Sequence, residues 1–336
     1  MRVTIRPRTL RFLEPLRTSY GALAEREILE LEIEGADGVA GRGEAAPLEP
    51  YDGVSLARAR AALEAYRPIL EEGDALQGGD LLDGCRGADE LPQALAAVDM
   101  ALWDRAARRA GLPVAQLLTT PVLDEVAVNA TIGAEDRAGA AARAEAARRA
   151  GFRCVKLKVG IGDDAGRVAA VRAALGPEAE LRLDANGAWG VEQAVATIEA
   201  LAPAGLELVE EPVHGLAALR EVRERVAVRI AMDESATEPG ALASGAADAV
   251  CLKLTRCGGI SGLLACASLV RASGAEPYVA SAFDGPLGVA ATVHAAAALR
   301  IRAACGLATL DLFADVDHPL AVRDGAIEVP RGPGLL

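Results

Sequence analysis

The pattern of apolar and polar positions changes once along the chain. "EILELEIEG" sets Leu29, Leu31 and Ile33 against Glu30, Glu32 and Glu34, the period-two alternation of a strand with one wet face. Two stretches of helical periodicity follow, "VSLARARAALEAYRPIL" and "ELPQALAAVDMALWDRAARRAG", the second closed by Gly111 with Pro113 just beyond. A Gly- and Asp-rich segment around 72–90 reads as their connector. Together these predict an α+β domain over residues 1–121.

From about residue 122, short apolar runs alternate with Ala- and Arg-rich helical stretches. The runs are "VAVNATIG", "CVKLKVG", "ELRLDANG", "LELVEEPV", "VRIAMDES", "AVCLKLT", "PYVASAFD" and "AACGLATLDL". Repeated βα units imply a parallel sheet, and eight of them close into a barrel, here residues 122–316. Residues 317–336 carry turn signals and predict a strand returning to the first domain.

One of these strands is chemically odd. "GFRCVKLKVG" places Lys156 and Lys158 on one face and Val155, Leu157 and Val159 on the other. A closed core does not tolerate two amines, so that face must meet something charged. The ends of the other strands supply it: Asp184 and Asn186, Glu210 and Glu211, Asp233 and Glu234, Lys253, then Ser281 and Asp284. The steps from Lys158 through Asp184, Glu210 and Asp233 to Lys253 are 26, 26, 23 and 20 residues, each about one βα unit. That spacing predicts that the charges share one height at the C-terminal rim, where barrel active sites sit. Asp184, Glu210 and Asp233 offer oxygen ligands suited to a hard divalent cation, Mg²⁺ first and Mn²⁺ as its alternative. Lysines on both sides add a base, since a neighbouring cation lowers an amine's pKa. A cation beside an amine base suits removal of a proton α to a carboxylate.

Charge and composition narrow the partners. With Lys+Arg at 35 and Asp+Glu at 48 the net charge is −13, which argues against nucleic acid or an anionic membrane. A small carboxylate substrate is the expected partner, and a homo-oligomer stays open. Cys85, Cys154, Cys251, Cys257, Cys266 and Cys305 form no CxxC pair and read as reduced thiols. The start lacks an apolar secretory region, and runs such as "VHAAAAL" are too short to span a bilayer. The expectation is a soluble, cytoplasmic protein. His214, His294 and His318 are scattered and read as surface or helix residues; Trp103 reads as core, and Trp189 is left open between core and barrel mouth.

A competing motif is "VGIGDDAG", with Gly160, Gly162 and Ala165 in dinucleotide-binding spacing and Asp184 about 20 residues on. Asp163 and Asp164 would stand where a pyrophosphate must go, and the strand before carries two lysines. An NAD-dependent oxidoreductase is therefore only a distant alternative.

The ordered set "KLK", "DANG", "EEP", "DES" and "LKL" resembles the muconate-lactonizing-enzyme subgroup of the enolase superfamily, and the likeness spans nearly the whole chain. It implies an α/β fold, a (β/α)7β TIM-like barrel behind an N-terminal α+β capping domain. It also implies Asp184, Glu210 and Asp233 as Mg²⁺ ligands, Lys158 as base beside Lys156, and Lys253 as the opposing lysine. Asn186, Glu211 and Glu234 are then expected to support the ligands, although "EEP" departs from the frequent "EQP" and leaves Glu211 without a clear role. "TSYG" and "GRGEAAPLEPYDG" resemble capping loops and bring Tyr20 and Tyr51 to the mouth. "SAFDGPLGVAA" and "CGLATLDLFADV" are most similar to the o-succinylbenzoate synthase family, lyases of menaquinone biosynthesis. That likeness implies substrate contacts at Ser281, Phe283, Asp284, Gly306 and Leu307. Dipeptide epimerases use an Asp-x-Asp pair on the eighth strand, where this chain has Thr309-Leu310-Asp311. Epimerase, N-succinylamino acid racemase and muconate cycloisomerase activities remain alternatives on the same scaffold.

Overall fold

The computed structural model describes residues 1–18, 21–314 and 316–336. Tyr20 therefore lies outside the described residues. The chain opens with the antiparallel strands β1 (Arg2–Thr18), β2 (Gly21–Glu34) and β3 (Ala40–Ala45). Helices α1 (Glu49–Asp52), α2 (Leu56–Glu72), α3 (Gly78–Ala88), α4 (Pro92–Ala110) and α5 (Val114–Leu118) follow. The alternation in β2 holds: Leu29, Leu31 and Ile33 are buried in a core with α2, α3 and α4. Ile28 faces the other way and joins the barrel's core. Helix α4 lies directly on β3 because Gly41 and Gly43 leave room; a Cβ at either would strike a carbonyl oxygen of α4.

The segment expected to be a plain connector contains α3. Four glycines weaken it, but Leu81, Leu82 and Cys85 turn one face into the capping core, and that burial decides the outcome.

The second region begins with β4 (Glu125–Ala127) and β5 (Ala130–Ile132). Next come α6 (Arg137–Arg149), β6 (Cys154–Lys158), α7 (Asp164–Leu175), β7 (Glu180–Asp184), α8 (Val191–Leu201), β8 (Leu206–Glu210), α9 (Leu216–Arg225) and β9 (Arg229–Met232). They continue through β10 (Ala249–Leu252), α10 (Leu254–Cys257), α11 (Ile260–Ala272), β11 (Glu276–Val279) and α12 (Pro286–Leu299). Strands β5 to β11 form one parallel seven-stranded sheet in sequence order. Two of the eight expected strands differ. The first is split, and β4 leaves the barrel to pair with the C-terminal strand β14. The eighth, "AACGLATLDL", is reduced to a seam. Cys305 and Gly306 exchange backbone hydrogen bonds with Ala127, Asn129, Val279 and Ser281 and so close the barrel. Beyond them Leu310–Leu312 curls into a 3₁₀ turn.

Short strands β12 (Phe313–Ala314), β13 (Val322–Arg323) and β14 (Ala326–Glu328) complete the chain. Strand β12 adds to β1 in the capping sheet. The tail returns between the two regions: Gly334 exchanges backbone hydrogen bonds with Val114 and Leu112, and Leu335 N–H donates to Asp104 at 2.7 Å. His294, expected at the surface or on a helix, is on α12 and fully buried. Its Nδ1 accepts from Ala115 N–H at 3.2 Å and its Nε2 lies 3.0 Å from the Leu335 carbonyl. Burial lowers its pKa to about 4, so the ring is a neutral strut. Among the described residues no helix is long and apolar enough to cross a membrane.

Candidate active site

Strand parity and register assemble the site. Lys158 pairs with Asp184 and Asp184 with Glu210, so these three do share one height. The expectation of a common height fails after that. Glu210 pairs with Ala231, two residues before Asp233, and Ala231 with Ala249, four before Lys253. Each of the last two steps climbs the barrel by two residues, which preserves the inward face. Loops after β9 and β10 then bend Asp233 and Lys253 back toward one another, and their side chains meet in a buried ion pair.

Lys156 Nζ lies 2.9 Å from Asp184 Oδ2 and 2.8 Å from Glu210 Oε1, bridging the two carboxylates. Lys158 Nζ lies 2.6 Å from the same Asp184 oxygen and 2.6 Å from Asn186 Oδ1. The Asn186 amide donates to Glu234 Oε1 at 2.8 Å. Glu211, fully buried, accepts from the backbone N–H of Asp233 at 2.8 Å and of Ser235 at 3.0 Å, and from the Ser235 hydroxyl. It fixes the turn that carries Asp233 and Glu234. Asn186 and Glu211 adopt left-handed φ values of 45° and 41°, strain that such hydrogen bonds hold in place.

Three neighbours were not anticipated. Tyr278 O–H donates to Glu210 Oε2 at 2.7 Å. Arg256 Nη1 donates to Tyr51 O–H at 2.8 Å with its guanidinium 4.9 Å from the ring centroid. Cys251 has its sulfur within 4.8 Å of ligand oxygens on Glu210 and Asp233. Parity was the available signal for two of them: Cys251 is two residues before Lys253, and Tyr278 is two before Ala280 on an adjacent strand. Arg256 lies on α10, outside any strand pattern. Tyr51 itself reaches the mouth from the capping domain, donating to Asp233 at 3.3 Å with Lys253 Nζ 5.3 Å from its ring centroid.

Charge is crowded here. Burial opposes the charge of Lys156, but Asp184 and Glu210 overcome it and raise its pKa well above the usual lysine value. Burial likewise opposes Lys253, and the charge of Asp233 overcomes it, raising its pKa well above the usual lysine value. Burial works against ionised Asp184 too, yet Lys156 and Lys158 hold its carboxyl well below the usual range. Burial raises Glu210 despite Lys156. Burial and the charges of Asp233 and Asp184 raise Glu234 to about 7, and its Oε2 is buried without a partner. Four carboxylates thus face three amines, with one carboxylate oxygen orphaned. This oxygen-rich, under-neutralised donor set fits a hard divalent cation.

The far wall is different in kind. Ser281 N–H donates to Gly306 O at 3.0 Å, and Ser281 Oγ accepts from Asp284 N–H at 2.8 Å. Phe283 is left-handed at φ 61° and meets Phe12 edge-on at 5.6 Å. Asp284 is buried with both carboxylate oxygens unpartnered, and burial raises its pKa. Leu307 is sealed in the barrel core, as is Trp189. Asp311 points outward, with its side chain 68% exposed and 3.5 Å from His318. In the Gly160 turn, the backbone N–H donates to Asp164 Oδ2 at 2.8 Å, so a carboxylate occupies the place a pyrophosphate would need.

The comparisons with known proteins agree with this geometry. The pattern of the mandelate racemase/muconate lactonizing enzyme N-terminal domain matches residues 1–119, and that of the enolase C-terminal domain-like family matches residues 139–335. The L-Ala-D/L-Glu epimerase of Bacillus subtilis is 33% identical over 355 residues, covering 98% of this chain and 93% of that protein. The o-succinylbenzoate synthase of Thermobifida fusca is 42% identical over 223 residues, 63% of this chain and 68% of that protein. A dipeptide epimerase from Enterococcus faecalis, solved with Mg and L-Leu-L-Tyr, superposes with a TM-score of 0.91 at 28% identity, covering 99% of this chain and 98% of that one. Capping domain, barrel and ordered strand-end residues leave one assignment: the chain belongs to the enolase superfamily and is an enzyme of its mandelate racemase/muconate lactonizing type.

Proposed function

We propose that the protein removes a proton α to a carboxylate in a Mg²⁺-dependent reaction and completes a syn dehydration of a cyclohexadiene carboxylate to o-succinylbenzoate. The observation that carries the substrate choice is the far wall. Asp311 turns away to solvent and Asp284 is sealed beneath its turn, so among the described residues of this wall no carboxylate pair waits for a substrate ammonium. A dipeptide leaves such a charge unpaired, and unpaired polar groups discriminate strongly where apolar fit does not. The 42% identity to a synthase over 63% of this chain points the same way.

In this reading Asp184, Glu210 and Asp233 would hold the cation, Mg²⁺ or, as a substitute, Mn²⁺. A divalent cation held by these three carboxylates would supply Lewis-acid stabilisation of charge on a substrate carboxylate. Lys158 Nζ takes that proton. Lys156, kept cationic by Asp184 and Glu210, lies on the same strand face and contacts the same Asp184 oxygen as Lys158. Lys253, on the opposite side, stays charged against Asp233 and steadies the anionic substrate. On the same face as the abstraction, Lys158 returns the proton to the departing hydroxyl and water leaves. Asn186, Glu211 and Glu234 hold these groups in place, and Tyr51 screens the mouth. The domain division that fits this role is a cap over 1–121, a barrel over 122–316 and a returning tail over 317–336.

The second reading is a dipeptide epimerase or N-succinylamino acid racemase. It is favoured by the 33% identity to an epimerase over 98% of this chain and by lysines on two sides of the site. The test is a panel of the synthase precursor, N-succinyl amino acids and Ala-Glu-type dipeptides. The synthase precursor should give the highest kcat/KM; a dipeptide in that place overturns the substrate while leaving the metal-and-lysine chemistry standing.

A further inference from the structure

The turn after β11 is gripped by three successive strands of the capping sheet. From β3, the Glu44 carboxylate accepts the backbone N–H of Gly285 at 2.6 Å and of Leu287 at 3.2 Å, at the N-terminus of α12. From β2, Arg26 donates to the carbonyls of Phe283 at 3.2 Å and Ala282 at 3.5 Å, and to those of Pro47 and Ala46 at 2.6 and 3.0 Å in the capping loop. From β1, Phe12 packs on Phe283. Arg26 and Glu44 are 3% and 0% exposed, so neither is a surface ion pair. The barrel is notched to receive Glu44: a Cβ at Gly285 or Gly288 would stand 2.6 Å from its oxygens. A charged side chain is rarely buried this deeply without a specific partner, and here the partner is the backbone of another domain.

We infer that Glu44, assisted by Arg26, is a positioning residue that sets the 281–287 turn, so that the capping sheet shapes the substrate pocket through side chains sealed from the substrate. The physical basis is the helix end. The first N–H groups of a helix lack intrahelical acceptors, and the two oxygens of the Glu44 carboxyl group satisfy two of them at this end. Gly285 and Leu287 receive that acceptor from 241 and 243 residues away along the chain. With both amides held, the backbone immediately before α12 has little freedom. Phe283 is kept left-handed and Ser281 in register with Gly306. The connection to substrate rests on the proposed function together with the expectation from the family resemblance that Ser281 and Phe283 contact the substrate.

The test combines amide hydrogen exchange by mass spectrometry with steady-state kinetics on Glu44→Met, which keeps length and loses both acceptors, and Glu44→Gln, which keeps one. In Glu44→Met, exchange over residues 281–290 should rise at least about tenfold while β1–β3 stay protected. KM for the substrate the wild type prefers should rise about tenfold with kcat falling less than about threefold. Glu44→Gln should lie between. Should Glu44→Met fold poorly, Gly288→Ala crowds the carboxylate from the other side and should give the same local signature. Loss of protection across the whole capping sheet, or a KM unmoved while the turn loosens, overturns the inference. Exchange needs no substrate, so this failure is distinct from failure of the wild-type substrate panel.

Discussion

The two walls of the barrel mouth are built by opposite means. From β6 to β10 the wall is a dense set of ionic contacts, in which Lys156 by itself touches two carboxylates at under 3 Å. From β11 to the closing seam it is mostly apolar, with an irregular backbone and a turn held from another domain. The ionic wall defines a reaction, because charge placement on rigid strands fixes where a proton can go. In the proposed function the apolar wall selects the substrate, and its shape depends on contacts far apart in sequence. The same superfamily chemistry can therefore persist on one side while the other changes.

The largest effect should come from the ionic wall. Lys158→Ala should reduce turnover by roughly 10⁴ or more, since a general base alone contributes ~10²–10⁴ and this amine also sets its partners' charges. Fold and melting temperature should hold, because Lys158 keeps a partly exposed side chain. Lys253→Arg sharpens the comparison. A one-base dehydration needs only the charge, and arginine should retain part of the activity; a two-base epimerisation needs a proton donor, and arginine should abolish it. Solvent isotope exchange at the α carbon that survives Lys158→Ala would show that another group is the base.

How much of each wall was legible follows the same division. Lys156, Lys158, Asp184, Glu210 and Asp233 could be read because strand parity is local and βα units repeat at nearly fixed length. Their climb in register could not, since it depends on pairing between strands. The Gly-rich α3 was missed because its stability comes from burying Leu81 and Cys85 in a core assembled elsewhere. The eighth strand looked regular in composition, but closure needed only the backbone of Cys305 and Gly306. Leu307 was expected at the substrate and is sealed in the core. Glu44 lay inside a quoted motif without a role, for its partners are 241 residues away.

The next effect tests the inter-domain contact by pH. Burial, followed by the charge of Asp284, raises the Glu44 carboxyl to about 8, against the pull of the Gly285 and Gly288 amides. A folded pKa above the unfolded value of about 4.5 means that the native state binds the extra proton between those limits. Its contribution is fully present below about pH 4.5 and is lost as pH rises through about 8, at most a few kcal/mol. Glu44→Gln removes the titration. The melting-temperature gap between wild type and variant should therefore shrink steadily from pH 5 to 8.5, whatever constant offset the lost acceptor adds. A gap independent of pH would mean that Glu44 is already ionised in the folded protein.

The smallest effect concerns Arg256, where the cap meets the ionic wall. Its guanidinium donates to Tyr51 O–H at 2.8 Å and covers the ring at 4.9 Å, while Lys253 lies 5.3 Å from the ring centroid. Tyr51 is thus held between two cations and reaches Asp233 at 3.3 Å. A hydrogen bond with a charged donor contributes about 1.5–3 kcal/mol, and a partly exposed cation–π contact about 0.5–1. Arg256→Met keeps much of the packing and loses both. If the cap's Tyr51 only screens the mouth, kcat/KM should fall about tenfold, mostly through KM, and Tyr51→Phe should reproduce much of it. The double variant should then cost little more than either single one, because both remove the same contact. Additive losses would place Arg256 on the substrate directly. The ionic wall would then extend past β10 and supply a cation for a second substrate carboxylate.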